Sequence, residues 1–249
     1  MTAVFKREFK AYFSTPIGYI FLAAFYFFLG LFFYIVYTAG SPEVGVVLLS
    51  MSTISVFAIP IITMRLMSDD RRQKVDQALL TAPVKLSGIV LGKFFAAFAL
   101  YALAFVPTVF FELIILSKVS VSVLPYIYSL LGILLLGAAL ISIGMFISCL
   151  TESPVISAIL TLVINILVLY MANFTSMITV PTDSTGFFGK IWQWIVSAFV
   201  IFLDKAGFIT VANKFIENVF SVSDIIYFIS IIAIFVFLSV RSLEKRRWS

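Results

Sequence analysis

The sequence contains no histidine and a single cysteine, and both shortages exclude whole classes of chemistry. Without histidine, neither a Ser-His-Asp triad nor a Cys-His pair can form, and histidine-ligated metal sites are excluded as well. Cys149 has no second cysteine with which to form a disulfide within the chain, and its apolar neighbours are typical of a small core residue. The sequence therefore predicts no bound metal and no other cofactor in this chain.

Charged residues are also scarce, since they make up 12% of the 249 residues, whereas 62% of the residues are hydrophobic. A soluble domain usually carries about 25% charged residues, which its surface needs for solvation. A water-soluble fold of this size cannot hide so much apolar surface, and the excess must face lipid. The composition therefore predicts an integral membrane protein.

Apolar runs of membrane-spanning length recur along the chain. About 20 residues of helix, rising about 1.5 Å per residue, cross a hydrocarbon core of roughly 30 Å. The runs that we predict as transmembrane helices, spans 1 to 6, are residues 17–38, 44–64, 94–116, 123–150, 153–180 and 225–240. The sixth run is short, but Ser221 and Asp224 have the spacing of a capping box, which extends the helix backwards. The predicted fold is an all-α, six-span, polytopic membrane domain over residues 1–249.

Three further segments are predicted to lie outside the spans. Residues 2–13 alternate aromatic and basic side chains at helical spacing, which predicts an amphipathic helix at the membrane surface. Residues 68–82 form a charged helical segment between spans 2 and 3. Residues 181–220 form a long outer segment, in which residues 191–203 are apolar but too short to span and are predicted to be an interfacial or re-entrant helix.

The basic residues predict how the spans are oriented. Of the 17 lysines and arginines, 13 fall in the two termini and in the loop between spans 2 and 3, which an even number of spans places on one side. Loops rich in lysine and arginine stay in the cytoplasm, so both termini are predicted to be cytoplasmic. A net charge of +5 could also suggest nucleic acid, but short basic blocks between apolar spans suit the membrane surface better, and no nucleic-acid partner is predicted.

The sequence shows no nucleotide site of its own. The nearest approach is Gly88-Ile-Val-Leu-Gly92-Lys93-Phe94. A phosphate-binding P-loop needs four residues between its glycines and a serine or threonine after the lysine, whereas this stretch has three residues and a phenylalanine. Lys93 is instead predicted to anchor the end of span 3. No aspartate lies inside a predicted span, which argues against an intramembrane aspartyl protease, and we predict that the chain is not an enzyme.

The charged segment 68–82 allows two interpretations. Read as a helix, it places Arg72 and Asp76 on one face and Val75 and Leu79 on another. Such an amphipathic helix at the membrane border can insert into a groove on a soluble partner. It can equally be an ordinary solvated helix of a loop, and composition alone leaves both interpretations open.

Several stretches of the chain resemble ABC-2 type permeases, the membrane subunits of ATP-binding-cassette (ABC) transporters. The similar stretches are residues 69–84 (Asp-Asp-Arg-Arg-Gln-Lys-Val-Asp-Gln-Ala-Leu-Leu-Thr-Ala-Pro-Val), 89–94, 136–152 and the last span with its tail, 223–248. Together with the amphipathic N-terminus, the resemblance runs nearly from end to end. Within that family the chain is most similar to the branch associated with gliding motility and nitrous-oxide-reductase maturation. The resemblance implies a multi-pass protein of the bacterial cytoplasmic (inner) membrane.

The resemblance also implies partners and functional residues. ATP and Mg²⁺ would be bound by a separate ABC ATPase, present in two copies, and the permease would pair with a second copy of itself or with a related permease. It also allows an extracytoplasmic accessory protein. The segment 68–82 would be the coupling helix that docks on the ATPase, and the turn after span 4 would make a smaller contact. The implied coupling residues are Arg71, Arg72, Asp76, Gln77, Leu80 and Glu152.

In such a permease, spans 2 and 5 would line a substrate path. The polar residues that these spans offer are Ser52, Ser55, Asn165 and Asn173. Each can also serve as polar contact between helices, and for Asn165 both interpretations stay open because an amide within a span must find a partner. The aromatic-rich spans suit a lipidic or amphipathic substrate, and membrane lipid is an expected neighbour.

Two rival functions remain. A transporter driven by an ion gradient usually carries ionisable groups within its spans, and this chain has almost none at that depth. The second rival is a membrane scaffold that anchors an ABC-type assembly or motility complex without moving a solute.

Overall fold

The computed structural model describes residues 1–40, 43–72, 86–118, 122–171, 207–208, 211, 214–215 and 221–247. All regular structure in these ranges is helical. The helices, numbered in chain order, are α1 (Thr2–Ser14), α2 (Pro16–Thr38), α3 (Val44–Thr63), α4 (Ser68–Arg72), α5 (Leu86–Ala104), α6 (Val106–Leu116), α7 (Leu124–Leu150), α8 (Pro154–Leu169) and α9 (Val222–Arg247).

Five stretches of helix are long and apolar enough to cross a membrane. They are α2, α3 with α4, α5 with α6, α7, and α9. Helix α8 has 16 residues and is shorter, and the rest of the predicted span 5 lies in residues 172–180, outside the described part. The prediction of an all-α membrane protein is confirmed, whereas six spans remain a prediction. The predicted interfacial helix at residues 191–203 also lies outside the described residues.

The predicted span 3 consists of two helices, α5 and α6, that meet at Phe105. Pro107 lies in the first turn of α6, and because proline has no backbone N–H it interrupts the helix ahead of itself. The hydroxyl of Thr108 donates a 2.7 Å hydrogen bond to the carbonyl oxygen of Phe105. Since nearby side chains can satisfy backbone groups that proline frees, the break costs little in the bilayer.

Helix α7 forms the centre of the bundle and packs against α3, α5, α8 and α9. Its glycines allow this close packing. A Cβ atom on Gly144 would lie 2.5 Å from the Thr63 hydroxyl oxygen and 2.9 Å from the Thr161 methyl carbon, and one on Gly137 would overlap the Tyr101 ring. Small residues therefore set the distance at which the neighbouring helices approach α7.

Helix α1 folds back against α5 and the end of α3. Its Tyr12 is buried, and the phenol donates a 3.1 Å hydrogen bond to the carbonyl oxygen of Ile62. Burial raises the pKa of Tyr12 far above its usual range, so the phenol stays a donor at any physiological pH. A Cβ on Gly18 would lie 2.5 Å from the Tyr12 carbonyl oxygen, so the α1–α2 corner needs glycine there.

Candidate functional site

Ionic and polar contacts gather at one end of the bundle, around the short helix α4. We call this region the charged end and define it as α1, the corner at residues 64–67 with α4, the first two turns of α5, the turn at residues 151–153 and the last turns of α9. Its parts come together through contacts of α1 with α5, of α4 with α7 and α8, and of Arg246 with the carbonyl oxygen of Cys149.

The corner between α3 and α4 is held by one hydroxyl group of α7. The Ser148 oxygen accepts hydrogen bonds from the backbone N–H groups of Met67 and Ser68, each 3.1 Å long. The same hydroxyl lies 3.2 Å from the carbonyl oxygen of Met64, to which it donates. Ser148 is fully buried, so these backbone groups cannot hydrogen-bond to water at this position instead. This serine fixes where the chain turns from α3 into α4.

A buried lysine joins three helices at the charged end. The Lys93 side chain of α5 is only 1% exposed, and its ammonium lies 2.7 Å from Asp70 of α4 and 3.1 Å from Glu8 of α1. It also donates a 2.5 Å hydrogen bond to the carbonyl oxygen of Leu66. Arg7 pairs with Glu8 at 2.6 Å, so two cations face two carboxylates. An enclosed charge is tolerated when it is paired and hydrogen-bonded in this way.

A second ion pair links α4 to the α7–α8 turn. The Arg71 guanidinium lies 2.5 Å from the Glu152 carboxylate and donates a 3.2 Å hydrogen bond to the carbonyl oxygen of Leu150. Two residues implied as coupling residues from separate stretches of sequence are thus in direct contact. Glu152 is 72% exposed and Arg71 is 26% exposed, so the pair lies at the surface and contributes more to position than to stability.

Arg72 points away from these contacts. Its side chain is 63% exposed, and its nearest ion-pair partner, Asp69, is 3.9 Å away. The guanidinium is therefore accessible to a partner. The other implied coupling residues, Asp76, Gln77 and Leu80, lie outside the described residues.

Three of the four residues implied for a substrate path lie inside the bundle. Ser52, Ser55 and Asn165 are buried. The Ser55 hydroxyl donates to the Met51 carbonyl oxygen at 2.7 Å and lies 2.9 Å from the Tyr101 hydroxyl. The Ser52 hydroxyl and both polar atoms of the Asn165 amide have no hydrogen-bond partner within the described structure. Asn173 lies outside it.

Asn165 belongs to a buried polar stripe on α8. Ser157 and Thr161 precede it at intervals of four residues, so the three side chains share one face of the helix. Both hydroxyls, like the Asn165 amide, lack a hydrogen-bond partner among the described residues. Helix α8 packs between α3 and α7. The stripe therefore provides unused hydrogen-bonding capacity in the interior, at a cost that a polar ligand or water could relieve.

Sequence reasoning missed Asp70 and Glu8 of the charged end, and also Ser148 of α7, which holds its corner. For Ser148 the sequence shows only a small residue in a span, which indicates helix packing and not a hydrogen-bonding role. Lys93 offered a clearer signal, because it lies between apolar residues on both sides and a lysine in such a position needs carboxylate partners when the helix is buried. Which carboxylates it meets depends on contacts across 85 and 23 residues, which periodicity cannot reveal.

The apolar helices and their exposed aromatic and aliphatic side chains define a multi-pass membrane protein. The model of the ABC-2 type transporter family matches residues 1–204. The chain therefore belongs to the ABC-2 type transporter family. It has no significant match among curated proteins. Family membership makes it a membrane permease component of an ABC transporter, which is a transport subunit rather than a catalytic enzyme, and it implies an ABC ATPase as partner.

Proposed function

We propose that the chain is the permease subunit of an ABC exporter and moves a lipidic or amphipathic substrate by alternating access. A separate ATPase would bind ATP and Mg²⁺ and power the cycle. In this proposal two ATPase chains act on a pair of permeases, formed by two copies of this chain or by this chain and a related one. The branch associated with gliding motility and nitrous-oxide-reductase maturation is the proposed relationship within the family.

The attachment of α4 on two sides is the observation that carries the proposal. Asp70 connects α4 to α1 and α5 through Lys93, and Arg71 connects it to the α7–α8 turn through Glu152. A force applied to the segment 68–82 would therefore reach four helices through direct contacts. Coupling requires an element whose position differs between two states and that a partner can bias. We propose that α4 is that element, because the ion pairs that hold it can break and re-form.

The orientation follows from the same region. Residues of α1, α4, α5 and α9 contribute basic side chains to the charged end, which we propose faces the cytoplasm of a bacterial inner membrane. Arg72 is then accessible to an ATPase on that side. This placement also puts the turn that carries Glu152 next to the ATPase, as a second, smaller contact.

The proposed path runs between α3 and α8. Ser52 of α3 and the stripe of Ser157, Thr161 and Asn165 on α8 supply polar atoms there that have no hydrogen-bond partner among the described residues. Alternating access would separate these two helices and expose the atoms to substrate or water. An amphipathic substrate suits such a path, because it can present polar groups to the stripe and apolar groups to the surrounding side chains.

Affinity purification of the tagged chain from its native membrane, in mild detergent, tests the proposal. We expect an ABC ATPase to co-purify with the wild-type chain and to be lost with Arg72→Glu, because that exposed guanidinium is free to contact it. Lys118→Glu is the charge-reversal control, since Lys118 is also exposed but follows the end of α6, outside the charged end. Absence of any ATPase from a well-behaved wild-type preparation would contradict the proposal.

A charge exchange separates transmission from docking. Arg71→Glu and Glu152→Arg should each reduce substrate-stimulated ATP hydrolysis by the purified complex, and the double variant should restore it because the ion pair is re-formed with reversed charges. A complex that assembles normally but shows no stimulation by any lipid or amphiphile would instead support the scaffold alternative.

A further inference from the structure

Two cavities lie near each other on one flank of the bundle, one between α1, the 64–67 corner, α4 and the start of α2, and the other between α2 and α3. The first, of about 290 Å³, is at the charged end, and its ionic lining residues are Arg7, Glu8, Arg65, Asp69 and Asp70. The second, of about 260 Å³, is lined only by apolar side chains of α2 and α3, including Phe21, Ala24, Phe28, Phe57 and Ile61.

The two cavities are lined by residues that follow one another closely in the chain. On α2, Ile17 lines the charged cavity and Phe21, one turn further on, lines the apolar one. Ile61 of α3 lines the apolar cavity and Arg65, four residues later in the corner after α3, lines the charged one. Ile61 is exposed, so the apolar cavity opens on the outside of the bundle, where lipid chains lie. The charged chamber and the apolar groove are thus neighbours, with lining residues four positions apart in the chain.

The charged chamber can hold both signs of charge. Arg7 uses two of its nitrogens on Glu8, and Arg65 uses its Nε on Asp69, which leaves N–H donors on both guanidinium groups. Asp69 keeps one carboxylate oxygen without a hydrogen-bond partner among the described residues. Lys93 on Glu8 and Asp70, and Arg72 at 3.9 Å from Asp69, bring the total to four cations around three carboxylates. A chamber of mixed charge suits a ligand that itself carries one negative and one positive group.

We propose that the charged chamber and the apolar groove together form a binding site for a zwitterionic phospholipid with a primary amine. Its phosphate accepts hydrogen bonds from Arg7 and Arg65, and its ammonium donates to the carboxylates on the other wall. One acyl chain lies in the apolar cavity between α2 and α3. The position is the one that a lipid of the bilayer must take, with its headgroup at the ends of the helices and its chain along them.

The identity of the headgroup follows from hydrogen bonding. A primary ammonium has three N–H donors for the carboxylates, whereas a quaternary ammonium has none. A purely anionic headgroup would meet Glu8, Asp69 and Asp70 without a cation of its own. Phosphatidylethanolamine therefore fits better than phosphatidylcholine or phosphatidylglycerol. The site rests on the membrane location and on these contacts, and it does not depend on whether the chain transports a lipid.

Native mass spectrometry of the full-length chain tests the site. The protein is equilibrated in mixed micelles with equal parts of phosphatidylethanolamine, phosphatidylcholine and phosphatidylglycerol, and the retained lipid is identified. We expect phosphatidylethanolamine to be retained about three- to tenfold more than either competitor. Glycerophosphoethanolamine, which has the headgroup without acyl chains, should not compete at the same concentration. Competition by it would show a headgroup site alone and overturn the proposal of a continuous groove.

Variants address the two cavities separately. Arg7→Gln with Arg65→Gln should lower retention about tenfold or more, because two charge-assisted hydrogen bonds are lost. Ala24→Phe should also abolish retention by filling the apolar cavity, even if the arginine variants were to misfold. Ala23→Phe is its matched control, because Ala23 is equally exposed on the same helix but does not line the cavity.

Three results would overturn the proposal. One is equal retention of all three lipids, and another is a preference for phosphatidylglycerol. The third is unchanged lipid retention in Ala24→Phe together with a shift from dimer to monomer in size-exclusion chromatography with light scattering. That last result would assign the groove to a second copy of the chain.

Discussion

Replacing Lys93 with methionine removes the cation that joins α5 to α4 and α1, while keeping a side chain of similar length. Asp70 then loses its ion pair with Lys93, and the Leu66 carbonyl oxygen loses its donor. Removing one partner of a buried ion pair typically costs about 3–5 kcal/mol. The Asp70 side chain is 22% exposed and can recruit some water, and Glu8 keeps Arg7. We therefore expect the free energy of unfolding to fall by about 3 kcal/mol, at the lower end of that range.

Reversible unfolding in mixed micelles, driven by sodium dodecyl sulfate and followed by circular dichroism, measures this change. Lys118→Met is the control, since Lys118 is exposed and its loss should stay within about 0.5 kcal/mol of wild type. Asp70→Asn completes a double-mutant cycle. Because both single variants disrupt the same pair, the double variant should be more stable than the sum predicts, by about 1–3 kcal/mol. An additive double variant, or a Lys93→Met chain as stable as wild type, would refute the buried ion pair.

Two further predictions concern the interior of the bundle. Gly144→Ala should lower the free energy of unfolding by about 1–3 kcal/mol, because the added Cβ would overlap Thr63 and Thr161. Gly30→Ala is the control and should be neutral or slightly stabilising, because no atom lies within 4 Å of its added Cβ. Equal effects of the two variants in the same unfolding assay would argue against close packing at α7. Asn165→Leu should leave stability unchanged or higher, since it removes a buried amide that has no partner in the described part of the chain, a penalty of about 1–3 kcal/mol. A fall of more than about 1 kcal/mol would show that the amide contacts another segment.

The helical membrane fold could be predicted from the sequence because its signal is local. A run of some 20 uncharged residues needs no knowledge of the rest of the chain to be recognised as a span. Proline is the second local signal, because Pro107 has no backbone N–H and the chain breaks between α5 and α6 two residues before it. Both features depend on neighbours in sequence, and both were accessible before any contact was known.

The ends of the third span show where local signals stop being sufficient. The prediction began span 3 at Phe94 because Lys93 is charged, whereas helix α5 begins at Leu86 and carries Lys93 in its interior. A charged residue marks the end of a membrane span only if water or lipid headgroups solvate its charge. In this chain the carboxylates of Glu8 and Asp70 stabilise the Lys93 ammonium instead, and they reach it only because α1 and α4 fold back against α5.

For the candidate site, too, the sequence indicated some of the residues but not the contacts between them. The contact of Arg71 with Glu152 brings together two residues that the family resemblance had implied separately, but their pairing required the three-dimensional arrangement. The role of Ser148 could not be predicted, because a serine that accepts hydrogen bonds from backbone N–H groups of another segment cannot be told in sequence from any small residue in a span.

The position of Ser148 also sets an order of events during synthesis. The amides of Met67 and Ser68 meet their hydrogen-bond acceptor 81 and 80 residues later in the chain. At about 5–20 residues per second, the ribosome needs roughly 4–16 s to supply it. Until then the corner after α3 has no partner for these groups, and α4 cannot take its final place. In a chain truncated ahead of α7, the amide hydrogens of Met67 and Ser68 should exchange with solvent, whereas in the full-length chain they should be protected. The segment proposed to contact the ATPase would thus be completed only after the central helix has entered the membrane, which delays docking until the permease can respond to it.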